Sequence, residues 1–215
     1  MKTEIGTDAT DVEPYAESTH FGKTVLLPDC RGGRIGRCWQ EGRFYEPGLL
    51  RHVHRLRLSG TYVDVGMNVG NHALFFAKVC RSKRVLAFEP FVEHIIRAEE
   101  LFERNEVRDK INIFNVALGE GPGELDLAIR SWSTHAITMS LDAVAPQDVS
   151  VIKIDVEGAE LDVIRGASNT ISTCKPHLFV ELWDDNFDEG VDVITAFGYR
   201  VGRRFKTPTY EFIPL

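Results

Sequence analysis

The chain has 215 residues, 43% hydrophobic and 27% charged, which is enough for one well-buried domain. Lys and Arg number 25 against 32 Asp and Glu, and the net charge of −7 argues against a nucleic-acid partner held by phosphate neutralisation. No run of about 18 apolar residues is present, so no spanning helix is expected.

In chain order, residues 1–20 are polar, acidic and without an apolar signal core. They read as a mobile lead-in or a flap. The four cysteines (Cys30, Cys38, Cys80, Cys174) form no CxxC pair and show no metal spacing. With no signal segment, this usage points to a reducing compartment, the cytoplasm. KTVLLP at 23–28 reads as a short strand, and DCRGGRIGRCWQEGRF after it as turns. From Pro47, the residues Leu49, Leu50, Val53, Leu56 and Leu58 keep helical spacing, with Gly60 as the expected stop. Residues 1–58 thus form an N-terminal segment, with a possible flap role, ahead of a core at 59–215.

The core alternates strands and helices. Strands are expected at TYVDVG (61–66), RVLAFE (84–89), INIFNVAL (111–118), VSVIKID (149–155) and HLFVELW (177–183). Helices are expected from about Gly70, after Pro90, through Leu161, Ile164, Ala167 and Ile171, and from Phe187 to Gly198. GELDLAI (123–129) and HAITMS (135–140) add β-structure between the third and fourth main strands. This order predicts an α/β fold, a parallel sheet with right-handed crossovers and helices on both faces. The closing runs YRVGRRF and TYEFIPL, joined by a short turn, predict an antiparallel hairpin at its end.

Ligands of such sheets bind where strands end, at the topological switch point. At the first junction, DVGMNVG, Gly66 permits a sharp turn and Gly70 lets the next helix start close to a ligand. The spacing is not G-x-G-x-x-G, so the pyrophosphate fingerprint is missing. Asp64 beside this turn suits an amino or sulfonium ligand, or it ties its own loop. Glu89 ends the second strand, where adenosine-binding sheets place an acid on the ribose hydroxyls. Asp155 ends the fourth strand as a site acid or an N-cap, and Gly158 in the expected first helical turn suggests close packing on that backbone.

Together, DVGMNVGNHALFFA, the FEP at 88–90, NVALGEGPGELDL, the SLD at 140–142, IKIDVEGAELDVIRGA and KPHLFVE resemble the FkbM-type S-adenosylmethionine-dependent methyltransferases. These segments run in order from about Tyr45 to Glu181, and the family's usual Ala is replaced by Met67. The resemblance implies the class I, Rossmann-like methyltransferase fold, with seven strands and the last inserted antiparallel. It implies that Asp64, Gly66, Asn68 and Gly70 lie against the methionine part of the cofactor. Glu89 then takes the ribose, with Pro90 and Phe91 beside the adenine, and Asn115, Ala117 and Leu118 line the adenine pocket. Asp155 falls near the methyl group, and Glu46 in FYEP approaches the cofactor's amino end.

The function expected is methyl transfer to a hydroxyl of a small molecule or glycan, with neither nucleic acid nor membrane as partner. Alignment and exclusion of water supply most of the catalysis, since the donor is already activated. A hydroxyl acceptor also needs a base. The candidates are Asp155, Glu181, His135 and His72, His135 reading equally as a solvated loop residue. A divalent metal held by the acids would do the same task, although no metal ligands are assigned. Two other readings compete: a non-catalytic cofactor-binding scaffold and a nicotinamide-dependent oxidoreductase.

Overall fold

The computed structural model describes residues 14–29, 33–129 and 132–215. The chain opens with a hairpin of β1 (Tyr15–His20) and β2 (Lys23–Pro28). Residues 15–20 are therefore a strand and not a lead-in. Phe21 and Gly22 both take positive φ (49° and 77°), as a tight right-twisting hairpin turn requires. Phe is a poor marker for such a turn, which hid the hairpin in the sequence. The stretch expected to be turns contains helix α1 (Gly33–Gln40), which buries Cys38 and Trp39. Helix α2 (Pro47–Leu56) stops four residues before Gly60, because Arg57 adopts the left-handed conformation and its N–H closes on His54.

Gly60 instead opens β3 (Gly60–Val65), and helix α3 (Asn71–Lys78) and β4 (Ser82–Phe88) follow. Next come α4 (Val92–Arg104), β5 (Ile111–Phe114) and β6 (Ala117–Leu118). The single strand expected at 111–118 is thus two, and they belong to different sheets. β7 (Gly123–Ile129), β8 (Trp132–Met139) and a short α5 (Leu141–Val144) precede β9 (Val149–Ile154). The helix expected after β9 is broken into α6 (Glu160–Gly166) and α7 (Ser168–Cys174), with the joint at Ala167. β10 (His177–Glu181), α8 (Phe187–Ala196), β11 (Tyr199–Arg204) and β12 (Thr209–Pro214) complete the chain.

The main sheet has seven strands in the order β11-β12-β10-β9-β3-β4-β5. β3, β4, β5, β9 and β10 are parallel, and β12 inserts antiparallel between β10 and β11. This is the α/β, class I methyltransferase arrangement expected above. Strand residues alternate between two apolar layers, as a sheet covered on both faces requires. Tyr62, Val85, Val151 and Phe179 face the layer of α2, α3 and α4, which also takes Val25, Leu27, Trp39 and Phe44. Val63, Leu86, Ile152 and Leu178 face the layer holding Val163, Ile164, Ile171 and Ile194. β6, β8 and β7 form a separate three-stranded sheet.

Two buried asparagines lock the N-terminal segment onto this frame. Asn105 exchanges hydrogen bonds with both backbone groups of Leu26 at 2.8 Å. Asn71 accepts from Trp39 Nε1 (3.1 Å) and the Tyr45 N–H (3.0 Å) and donates to the Tyr45 carbonyl (3.3 Å). Each leaves little buried hydrogen-bonding capacity unmet, so the segment packs as a fixed wall. Among the described residues, no helix is long and apolar enough to cross a membrane.

Candidate active site

β3 and β9 lie side by side, and their chains depart towards opposite halves of the sheet. Their C-terminal ends therefore form the switch point. Gly66 takes φ 77°, and a Cβ there would stand 1.8 Å from the Asp155 carbonyl oxygen. Gly70 takes φ 90°, and its Cβ would meet the Phe102 ring at 2.7 Å. The atoms these glycines admit are thus the protein's own: the β9 loop and helix α4. Gly66→Val should lose about 3 kcal/mol or more of stability, combining left-handed strain with a backbone collision. Urea denaturation measures it, and a near-wild-type midpoint would mean that the two loops separate cheaply.

Gly158 has a different reason. Helix α6 starts only at Glu160, so Gly158 lies in the preceding loop at φ 111°, with nothing within 4 Å of a Cβ. Backbone conformation, not close packing, selects glycine there. The late helix start also removes Asp155 as its N-cap. Glu160, buried at the helix start, holds the loop by accepting from the N–H groups of Val156 (3.3 Å) and Gly158 (3.0 Å).

Asp64 and Lys153 are register partners on adjacent parallel strands, and both side chains are buried. The Lys153 ammonium lies 3.1 Å from Asp155 Oδ2, 3.6 Å from Asp64 Oδ1 and 3.4 Å from the Gly66 carbonyl. Burial opposes its charge, but Asp155, Asp64 and Glu46 more than offset this, so its pKa is raised and it stays protonated. Burial raises the Asp64 pKa, against the pull of Lys153 and His72. Both Asp64 oxygens lack a hydrogen-bond partner within the protein.

Glu46, in the left-handed conformation ahead of α2, turns its buried carboxylate towards this group. His72 Nε2 lies 2.9 Å from Glu46 Oε2, an ion-pair distance at an angle outside hydrogen-bond geometry. The Thr207 hydroxyl donates to Glu46 Oε1. Burial pushes the Glu46 carboxyl up, but His72 and Thr207 bring it down to about 2. Glu181, on the same face at the end of β10, has its pKa pushed up to about 8 by burial and then by the facing Asp155 carboxylate. Near neutrality Glu181 is the protonated member of the pair. Asp155 and Glu181 thus face each other from the ends of adjacent strands.

The Glu89 carboxylate is also buried, at the end of β4. It accepts from the N–H groups of Asn68 (2.8 Å) and Phe91 (3.0 Å) and lies 3.1 Å from His94 Nδ1. Asn68 sits on the exposed crest of the β3 loop with φ 53°. Pro90 precedes the N-cap Phe91 and does not open α4 itself. Asn115 donates to the carbonyls of Glu89 (3.1 Å) and Pro90 (2.9 Å), which fixes this strand end. Ala117 and Leu118 lie in β6, Leu118 within the apolar layer beneath.

His135 stands elsewhere. It is on strand β8 rather than in a loop, exposed, 2.8 Å from its cross-strand partner Asp126 and 3.4 Å from Glu124. Its hydrogen bond to the Asp126 carboxylate raises its pKa. No described contact joins it to Asp155 or Glu181. Residues 130–131 and the Trp132 side chain lie outside the described residues. Among the described residues, no group of three or more His, Cys, Asp or Glu is arranged to hold a metal ion.

Sequence reasoning overlooked Lys153. The signal was present: a charged residue inside VSVIKID, a strand expected to be buried on both faces, needs carboxylate partners. Tyr45, its hydroxyl engaged by Arg34 near Glu181, and Thr207 were overlooked too, since only the fold brings them here.

The family model described as the Methyltransferase FkbM domain matches residues 133–201. Over that stretch the chain is similar to FkbM-type methyltransferase domains. The match runs from β8 into β11 and includes Lys153, Asp155, Glu181 and the loops that follow the last two. A curated relative of the FkbM-type domain is the hexuronic acid methyltransferase AglP of Haloferax volcanii, 27% identical over 127 residues, 51% of each chain. The chain thus spans about half the length of that relative. Among solved structures, a methyltransferase FkbM from Methylobacillus flagellatus shares the fold, with TM-score 0.61 and 21% identity, over 72% of this chain and 43% of that one. A precorrin-6y C5,15-methyltransferase from Geobacter metallireducens shares it at TM-score 0.53 and 12% identity, over 77% and 84%.

Proposed function

We propose that the protein is an S-adenosylmethionine-dependent O-methyltransferase acting on a hydroxyl of a small molecule or glycan. The observation that carries this reading is the charge at the switch point. Asp64, Asp155, Glu46 and Glu181 gather around Lys153, with His72 paired to Glu46, so carboxyl groups outnumber basic groups in a buried setting. A cation suits such a place far better than a pyrophosphate does. The unpartnered oxygens of Asp64 are the specific point of fit.

S-adenosylmethionine, when bound, supplies a methyl group already activated on a sulfonium. The chain's residues do the rest. Asp64 and the Gly66–Gly70 loop hold the methionine end, with Asn68 on that loop's crest and Glu46 behind it. Glu89 has three of its roughly four acceptor positions filled by Asn68, Phe91 and His94, which leaves one for a ribose hydroxyl. Pro90, Phe91, Asn115, Ala117 and Leu118 form the adenine side. Asp155 orients the acceptor hydroxyl and takes its proton, and Glu181 donates to Asp155.

Calorimetric titration with S-adenosylmethionine, S-adenosylhomocysteine and NADH tests the cofactor. The first two should bind and the third should not; the reverse pattern overturns the reading. Labelled methyl transfer to a panel of glycosides then separates an enzyme from a scaffold. Glu89→Ala should weaken S-adenosylmethionine binding by about 1.5–3 kcal/mol, through loss of a charged hydrogen-bond acceptor. Unchanged affinity in a folded variant removes Glu89 from the ribose site.

A further inference from the structure

Two residues beyond Asp155 and two beyond Glu181, the loops after β9 and β10 enclose a cleft of about 610 Å³. Its lining residues are Glu157, Gly158, Trp183, Asp184, Asp185 and Asn186. That volume lies within the usual range of small-molecule sites. Trp183 leaves 48% of its surface open, an unusual state for the largest apolar side chain. Its backbone is nonetheless fixed. The N–H of Leu182 donates to the Pro208 carbonyl at 2.8 Å, and the N–H of Asn186 donates to the Trp183 carbonyl at 3.1 Å. The ring therefore faces solvent from a hydrogen-bonded backbone. Within the same lining, Asn186 Oδ1 is buried and has no hydrogen-bond partner, although its amide nitrogen reaches Glu160 at 3.4 Å.

We infer that this cleft is the acceptor subsite, and that it takes a pyranose ring bearing hydroxyl or amino groups and no carboxylate. The inference rests on the methyl-transfer reading above and adds the chemical class of the acceptor. An aromatic face beside several hydrogen-bond acceptors matches a sugar, which has an apolar C–H face and a rim of O–H donors. Three carboxylates, Glu157, Asp184 and Asp185, line the cleft without a lysine or arginine among them. A uronate would meet like charge there. One guanidinium among the described residues, Arg34, interacts with Glu157 and Glu181 and is already engaged by Tyr45. The acceptor thus differs in charge from the one named for the Haloferax relative. The place in the fold supports the same assignment, since the cleft is lined from two residues beyond Asp155 and two beyond Glu181.

The test is saturation-transfer NMR on the full chain with methyl glucopyranoside, methyl glucosaminide and methyl glucuronide, before and after addition of S-adenosylhomocysteine. The first two should bind, and the glucuronide about tenfold more weakly or not at all. Trp183→Ala should lose about tenfold in glycoside affinity, whereas Trp183→Phe, which keeps an aromatic face, should lose less. Asp184→Asn with Asp185→Asn should narrow the gap between glucoside and glucuronide. A glucuronide that binds as well as the glucoside overturns the inference, as does unchanged binding by a folded Trp183→Ala. S-adenosylhomocysteine titration of the same samples keeps the two proposals apart. Cofactor binding without glycoside binding at Trp183 sinks only the subsite, and glycoside binding without cofactor binding sinks only the methyl-transfer reading.

Discussion

Lys153→Met is expected to lose about 3–5 kcal/mol of stability near pH 8, the usual result of stripping one partner from a buried ion pair. The length of the side chain is kept, so packing changes little and the loss is electrostatic. Asp64 is fully buried, without a hydrogen-bond donor, and Lys153 is the cation nearest to it in its described contacts. Asp155 loses an ion pair at 3.1 Å, and the Gly66 carbonyl loses its donor at 3.4 Å. The pH dependence gives the signature. The Asp64 pKa is raised in the folded chain even with Lys153 present. A carboxyl with a raised folded pKa favours folding below its unfolded pKa, and that contribution is lost as pH rises through the folded value. Removal of the ammonium raises the folded value further, so the deficit of the variant should shrink between pH 8 and pH 5. Urea denaturation at the two pH values measures this. A deficit below about 1 kcal/mol at pH 8, or one that widens in acid, would show that Lys153 does not hold the two strand ends together.

The same residue shows where sequence reading worked and where it stopped. The central strands were legible because they are continuous apolar runs bounded by glycine or acids, and burial on both faces demands that pattern. The hairpin at the end was legible from a connection too short for any crossover. What escaped depends on single conformations or on distant partners. The strand at 111–118 breaks near Asn115, whose amide turns back to hold Glu89 and Pro90, and no local propensity encodes that. Ala167, the best of helix formers by propensity, marks the joint between α6 and α7. Close by, the Asp142 carboxylate takes the N–H groups of Asn169 and Thr170 at 2.8 Å, a tertiary cap on the start of α7. Of the candidate site, the strand-end acids Asp64, Glu89, Asp155 and Glu181 were legible because strand ends are where such sheets place chemistry. The facing of Asp155 and Glu181, and the pairing of Glu46 with His72, depend on the tertiary fold alone.

Asp155→Asn is expected to retain cofactor binding within a few fold and to lose about 10²–10⁴ in turnover, the range for loss of a general base. The reason lies in tertiary contacts and not in a helix terminus, since α6 begins five residues later. The Asp155 side chain is 31% exposed and paired with Lys153. Its N–H donates to the Val65 carbonyl at 3.1 Å, a backbone bond that Asn preserves. Asn also keeps the shape, so the loop after β9 should stay in place against Gly66. What changes is the charge, and Glu181 should report it. The Glu181 pKa is near 8 because of burial and then the Asp155 charge. In wild type, activity that needs a proton on Glu181 should fall as pH rises through about 8. In Asp155→Asn the facing charge is gone, so the Glu181 pKa should drop and any alkaline limb of the residual activity should move to lower pH. A pH–rate profile of both proteins, with carboxyl titration by NMR as a readout independent of turnover, distinguishes the roles. Full activity in Asp155→Asn on a true acceptor would assign the proton to Glu181. A loss confined to cofactor affinity would make Asp155 part of the binding cradle alone. A loss in turnover with the shifted alkaline limb identifies Asp155 as the base and Glu181 as the donor that holds it in position.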